Sequence, residues 1–205
     1  MDDMSKRMGE KYRKYYDDLF SKYGEDPKSL DLSRDSQLHR FEVLAQIGDL
    51  KGRSILDVGC GFGDFYGYLV GNLYEFGEYV GVELSEGMVV VGRTRYPKAT
   101  IIHGDFLNPI LGMTADYVIA SGIFSLEDPD WGKHFTTVVK KMFALSKVGI
   151  GFNLLSTNSL NFGKMDQFHF ESPWAILRFA LKELSEKVIL RHDYRKNDFT
   201  IFAYK

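Results

Sequence analysis

The sequence predicts an α/β fold: a mostly parallel sheet with helices on both faces and an antiparallel C-terminal strand. Three observations lead there. Apolar runs at SILDV, YVGVEL, TIIHG, DYVIAS and VGIGFNLL alternate with helical patterns over residues 62–76, 86–96 and 131–146, the rhythm of βαβ units. Two further strands, KVILRHDY and DFTIFAYK, flank the polar RKN as an antiparallel hairpin at the sheet edge and bring the strands to seven. In ILDVGCGFGDF the first strand runs straight into glycines at alternate positions, a turn whose backbone must either take left-handed dihedrals or lie close to a ligand.

The remaining elements follow in order. Tyr12, Tyr15, Tyr16, Leu19 and Tyr23 recur at helical spacing, so residues 5–23 form an amphipathic helix, which Gly and Pro within residues 24–29 interrupt. Ser33 caps a second helix in which Leu38, Phe41, Leu44, Ala45 and Gly48 are spaced by three and four, and GDLKGR turns into the first strand. SLNFGKMDQFHFE has no period and is a long loop of the kind that is more often functional than idle. Ser172 and Pro173 are a cap and first-turn proline for the helix WAILRFALKEL. The expected organisation is a single domain over residues 1–205, with 1–50 as a helical cap or lid and 51–205 as the α/β core.

Composition narrows the function. The 205 residues are 44% hydrophobic and 26% charged, enough for one sizeable core. A net charge of −2 gives no basic field for nucleic acid or anionic lipid. The N-terminus lacks an apolar signal core and no apolar run reaches spanning length, so the expected location is cytoplasmic, with no membrane partner. A single cysteine, Cys60, excludes an intrachain disulfide and a cysteine-rich metal site; no H-E-x-x-H occurs, and no metal is expected.

In an open α/β sheet, ligands lie beyond the carboxyl ends of the strands. Those ends carry Asp57 with Gly59, Gly61 and Gly63; Glu83; Asp105 with Phe106; and Ser121, Gly122 and Phe124. Glu83, about twenty residues beyond the glycines, suits a carboxylate accepting from ribose hydroxyls, the alternative being a solvated turn acid. Asp105 beside Phe106 suits an adenine edge. The third glycine comes one residue too early for the dinucleotide fingerprint G-x-G-x-x-G, and acids stand on both sides of the loop. Such acids repel a diphosphate and suit a ligand with an ammonium and a sulfonium.

DVGCGFGDF, the acid of GVELS and the acid of HGDF, in that order, resemble the class I (Rossmann-like) S-adenosylmethionine (SAM)-dependent methyltransferases over roughly residues 37–205. QLHRFEVL, ASGIFSL and FNLLS are similar to an uncharacterised prokaryotic branch of that family. The resemblance implies SAM as cofactor and S-adenosylhomocysteine (SAH) as product. It implies that Gly59, Gly61 and Gly63 pass under the methionine part with Asp57 near its amino group, and that Glu83 holds the ribose. Leu84 and Met88 would flank the adenine, Asp105 and Phe106 would define its edge, and Ser121 and Gly122 would face the methionine. Arg40, on the helix before the first strand, is a candidate partner for the cofactor carboxylate, the alternative being an exposed helix charge. ASGIF stands where many relatives carry an N-P-P-Y type tetrapeptide, which argues against adenine and amide-nitrogen methylation.

A small-molecule acceptor is the expected substrate, with contacts from Tyr12, Tyr15, Tyr16, Phe124, Asn153 and His169. His169 is the best base candidate among the five histidines, and a surface loop histidine is its bland alternative. No residue announces itself as catalytic, because in-line methyl transfer needs a base only when the acceptor still holds its proton. Two rival readings are a SAM-binding regulatory module without turnover and a nicotinamide-dependent oxidoreductase.

Overall fold

The computed structural model of the protein describes residues 3–30, 33–108 and 113–205. Its centre is a seven-stranded sheet of β1 (Ile55–Val58), β2 (Tyr79–Glu83), β3 (Thr100–His103), β4 (Ala115–Ala120), β5 (Ser146–Leu155), β6 (Val188–Arg191) and β7 (Asp198–Tyr204), in the order β3-β2-β1-β4-β5-β7-β6. Neighbours pair in parallel except at β7, which runs antiparallel to both β5 and β6. The hairpin expected at the edge is present, and its second strand is the inner one.

The strand order reverses between β1 and β4, which puts a crevice at the carboxyl ends of those two strands. β1 is buried at all four positions, as a strand covered by helices on both faces must be. One core cluster joins Val58, Val118, Ile150 and Ile201 to Phe135, Val139 and Met142; a second joins Ile55, Ile119 and Phe202 to Phe41, Phe65 and Leu69.

The helices are α1 (Asp3–Tyr23), α2 (Arg34–Leu44), α3 (Asp64–Gly71), α4 (Glu86–Arg95), α5 (Trp131–Leu145) and α6 (Pro173–Glu183). Ser33 caps α2 as expected, its Oγ accepting from the amide of Ser36 at 3.2 Å. α3 is shorter than its pattern suggests. Gly63 is its N-cap, and it ends at Gly71 because Asn72 caps it and Leu73 turns left-handed, with φ of 59°. At α6, Ser172 makes no side-chain cap bond; its amide donates instead to Oε1 of Glu171 at 2.7 Å. The 159–171 segment has no regular element, only single bridges from Leu126 to Phe168 and from Ser156 to Glu171 near its ends. Among the described residues no helix is long and apolar enough to cross a membrane.

Candidate active site

The crevice at the strand switch holds about 1050 Å³ of empty space, counting the part open to solvent. Asp57, Gly59, Cys60 and Gly61 from the β1 turn form its floor, with Glu83, Leu84 and Met88 from the β2 end. Asp105 and Phe106 follow β3, and Ser121 and Gly122 follow β4. Carboxylates, glycines and flanking apolar residues chosen for their chemistry in the sequence therefore line one cavity.

Gly59 and Gly61 both have positive φ, 69° and 55°. A Cβ on Gly59 would collide with the side chain of Ile123, and one on Gly61 would lie 2.8 Å from Cδ2 of Leu30. The turn is bare because it is both left-handed and closely covered. Gly63 has a different task and does not line the cavity: a Cβ there would meet Ile101 Cδ1 at 2.9 Å and Tyr96 Cδ2 at 3.4 Å, so it lets the loop pack on β3 and the end of α4.

Two buried carboxylates set the electrostatics. Asp57 accepts from the Tyr79 hydroxyl at 2.6 Å. Burial outweighs that bond, and with the nearby charges of Glu83 and Asp64 it pushes the Asp57 carboxyl up to about 7. Glu83 accepts from the amide of Gly61 at 3.0 Å through Oε2 and from the amide of Ser85 at 2.9 Å through Oε1. Burial raises its pKa as well, while those amides pull the other way. Asp105 folds back to accept from the Leu107 amide through Oδ1, and its Oδ2 faces α1, where a Cβ on Gly9 would lie 2.9 Å away.

The N-terminal helices complete the walls. Gly9, Tyr12 and Tyr16 of α1 and Gln37 and Phe41 of α2 reach the cavity. Tyr15 does not; it meets Tyr16 edge-on at 5.4 Å. Tyr12 stacks on His134 of α5 at 5.6 Å, and the backbone of Leu126 approaches its hydroxyl without closing a hydrogen bond. His134 also lines the cavity; its Nδ1 is buried without a partner among the described residues, and burial lowers its pKa against the opposing pull of Asp105 and Asp128. Neither Gln37 nor His134 stands out in the sequence, since each is a polar residue inside a helix whose neighbours carry the period.

Besides Gly63 and Tyr15, four more expected residues lie elsewhere. Arg40 is 3% exposed and is drawn away from the cavity by Asp198 of β7, which accepts from its Nη2 at 2.5 Å. Phe124 is core, packed on Phe135 and Phe152. Asn153 finds the partner its burial demands: its Oδ1 accepts from the Gly122 amide at 2.9 Å and its Nδ2 donates to Ser121 Oγ at 3.3 Å, so it positions the β4 turn from behind. His169 stacks on Trp131 at 3.6 Å and sits between Glu127 and Glu171, away from the cavity.

A second cavity of about 680 Å³, also partly open to solvent, adjoins the first. Leu30 and Gly122 belong to the walls of both. Its own walls come from α2, the 159–171 loop and the start of β7. Among the described residues no cluster of His, Cys, Asp or Glu could hold a metal ion.

Comparison with known proteins decides the family. A protein-family model described as a methyltransferase domain matches residues 55–142. A Mycobacterium tuberculosis protein assigned by name to the methyltransferases is 31% identical over 157 residues, covering 74% of this chain and 93% of that one. The chain belongs to the class I SAM-dependent methyltransferases. A demethylmenaquinone methyltransferase of Shouchella clausii is 28% identical over 155 residues, covering 72% of this chain; the chain spans 63% of that relative's length. The fold is shared with the N-methyltransferase NodS of Bradyrhizobium japonicum, solved with SAH, at a TM-score of 0.66 and 11% identity over 97% of this chain and 98% of that one. It is shared as well with a SAM-dependent methyltransferase of Archaeoglobus fulgidus, at 0.63 and 19%, over 87% and 97%.

The methyltransferase uses SAM as its cofactor, and the first cavity suits that group: two buried carboxylates stand by a turn whose Cβ positions are already filled by neighbours. Membership leaves no place for the nicotinamide-dependent reading.

Proposed function

We propose that the protein transfers the methyl group of SAM to a small-molecule acceptor, with the cofactor in the first cavity and the acceptor in the second. The observation that carries this reading is the shared wall: Leu30 and Gly122 border both spaces, so the two cavities lie side by side there. Bound SAM supplies an electrophilic methyl on a sulfonium.

The chain's residues hold the partners. Asp57 receives the amino group of the methionine moiety, Glu83 the ribose hydroxyls, and Asp105 with Phe106 the adenine edge between Leu84 and Met88. Glu83 is already oriented by two amides and keeps lone pairs for two hydroxyls. Ser121 and Gly122 face the methionine, fixed by Asn153. Neither Leu30 nor Gly122 titrates, so the junction acts by proximity and orientation, which supply about 7 to 11 kcal/mol in favourable systems.

Residues 1–50 act in this reading as a cap, and 51–205 as the α/β core. Tyr12 and Tyr16 roof the cofactor, and Arg7 and Lys11 fasten α1 through Asp128. The slightly acidic chain favours a metabolite over nucleic acid as acceptor.

The test is incubation of the protein with SAM and fractionated bacterial small-molecule extract. The expected result is SAH together with a product heavier by one CH₂ unit. SAH that binds in calorimetry but is never formed across all fractions would mark a binding module instead.

A further inference from the structure

Arg40 is the most unusual polar group in the molecule. It is 3% exposed, yet only its Nη2 is used; Nε and Nη1 are buried with no hydrogen-bond partner among the described residues. Three N–H donors of one guanidinium are thus left over, in a structure class where buried donors are almost always paired. Arg40 forms part of the wall of the second cavity.

Among the described residues Asp198 is the one carboxylate lining that cavity, and it is shared between Arg40 at Oδ1 and Arg195, whose Nε lies 3.5 Å from Oδ2. Arg195 turns its Nη1 outward to the exposed Asp35, at 3.1 Å. Tyr194, the remaining titratable neighbour, is engaged with Thr200. Among the described residues the lining thus holds two guanidiniums and one carboxylate, the second counter-ion, Asp35, lying outside the cavity. The rest of the wall is mixed: Leu30, Leu155, Met165, Phe168 and Phe170 give an apolar patch for a ring or short chain, beside four serines and two asparagines able to hydrogen-bond. The phenylalanines on either side of His169 thus face this space while the histidine turns to Trp131.

We propose that the methyl acceptor is an apolar molecule bearing a carboxylate, and that Arg40 is the residue that receives that carboxylate. This rests on the reading that places the acceptor in the second cavity. The cofactor has a carboxylate of its own; the acceptor is favoured as the source because Arg40 borders the second cavity and not the first. Arg40 is in this role a binding and specificity residue, its planar fork of donors matched to a carboxylate.

The test uses benzoate and benzamide as probes, titrated by calorimetry into SAH-saturated protein while the Arg40 Nε–H resonance is followed by NMR. Benzoate should bind at least about tenfold more tightly than benzamide and move the Nε–H signal, because only the anion makes charge-assisted hydrogen bonds. Ser36 lines the same cavity one helical turn before Arg40. Ser36→Asp supplies a carboxylate in cis and should weaken benzoate at least about tenfold with SAH binding retained, while Ser36→Asn keeps both. Equal binding of benzoate and benzamide, or benzoate binding indifferent to Ser36→Asp, overturns the proposal. So does an Nε–H signal that moves with SAH but not with methylthioadenosine, which lacks the amino-acid part. If SAH itself fails to bind, the cofactor reading of the first cavity falls, and benzoate titrated into the unliganded protein still decides the role of Arg40.

Discussion

The hydroxyl of Tyr79 donates a 2.6 Å hydrogen bond to Oδ2 of Asp57, linking β2 to β1 directly beneath the glycine turn. That bond favours the charged carboxylate, and burial still holds the group near neutrality, at about 7. In the unliganded protein, the stability gained from a protonated Asp57 is therefore lost as pH rises from the ordinary carboxylate range through 7. Ligand affinity runs the opposite way. An ammonium seated on Asp57 requires the anion, so SAH binding should weaken about tenfold per pH unit below 7, with uptake or release of one proton checked by calorimetry in two buffers. Asp57→Asn should bind more weakly above 7 and show no such slope.

Glu83 tests the ribose contact. Replacement by Ala removes the acceptor for two buried amides as well as the ligand contact, so it confounds folding with binding. Glu83→Gln keeps the shape and one acceptor oxygen. It should raise the SAH dissociation constant about 10-fold to 100-fold, the worth of a hydrogen bond to a charged group, with a fall in melting temperature smaller than that of Glu83→Ala, because only one of the two amides loses its acceptor. Unchanged affinity would remove Glu83 from the ribose.

His169 should report on the loop that walls the second cavity. Burial lowers its pKa, but the carboxylates of Glu171 and Glu127 more than offset this, and the net shift is upward from 6.5. A raised histidine contributes stability below its unfolded value that is lost as pH rises through the folded one. Protonated imidazole quenches a stacked indole. In a Trp174→Phe background, Trp131 emission should therefore rise with pH, with a midpoint above 6.5, and His169→Phe should abolish the transition. A midpoint at or below 6.5 would mean that the two carboxylates do not hold the ring.

Much of this was legible in the chain because the signals are local. Strand, glycine turn and acid lie within eleven residues at Ile55–Phe65, and each later acid ends its own apolar run. The tyrosine spacing showed α1, and only the packing reveals that Tyr12 and Tyr16, four apart, share the cavity face while Tyr15 falls off it. What could not be read are pairings across the chain. Arg40 looks free for the cofactor until β7 brings Asp198 beside it from 158 positions away. His169 is the best base candidate among the histidines, with a surface loop residue as the alternative, and only the packing shows that its neighbours, Phe168 and Phe170, take the cavity side of an irregular loop. Gly63 matches the loop by spacing but serves helix packing, a distinction that needs Ile101 and Tyr96 in view.

Asp128 is the anchor of α1. It is almost fully buried and receives Arg7 at 2.8 Å and Lys11 at 2.8 Å, with Arg7 also reaching Asp130 at 2.7 Å. The Arg7 bond above all holds the Asp128 carboxyl far below the usual carboxylate range, so the anchor persists well into acid and is lost only as pH falls through that depressed value. Asp128→Asn should lower hydrogen-exchange protection of residues 3–23 about tenfold or more and speed SAH release, with the β4 and β5 amides unchanged. Equal protection in both proteins would show that α1 is held by its apolar packing, Met8 and Tyr12 with Leu126 and Phe20 on Phe62.

The placement of β7 between β5 and β6 has a consequence for biosynthesis. The counter-ion of Arg40 and two more residues of the same cavity, Arg195 and Asn197, belong to the latest-made strand of the sheet and the turn before it. β1, paired with β2 and β4, carries the glycine turn without pairing to that strand. A message broken before Arg195 therefore encodes the glycine turn but none of Arg195, Asn197 and Asp198 of the second cavity.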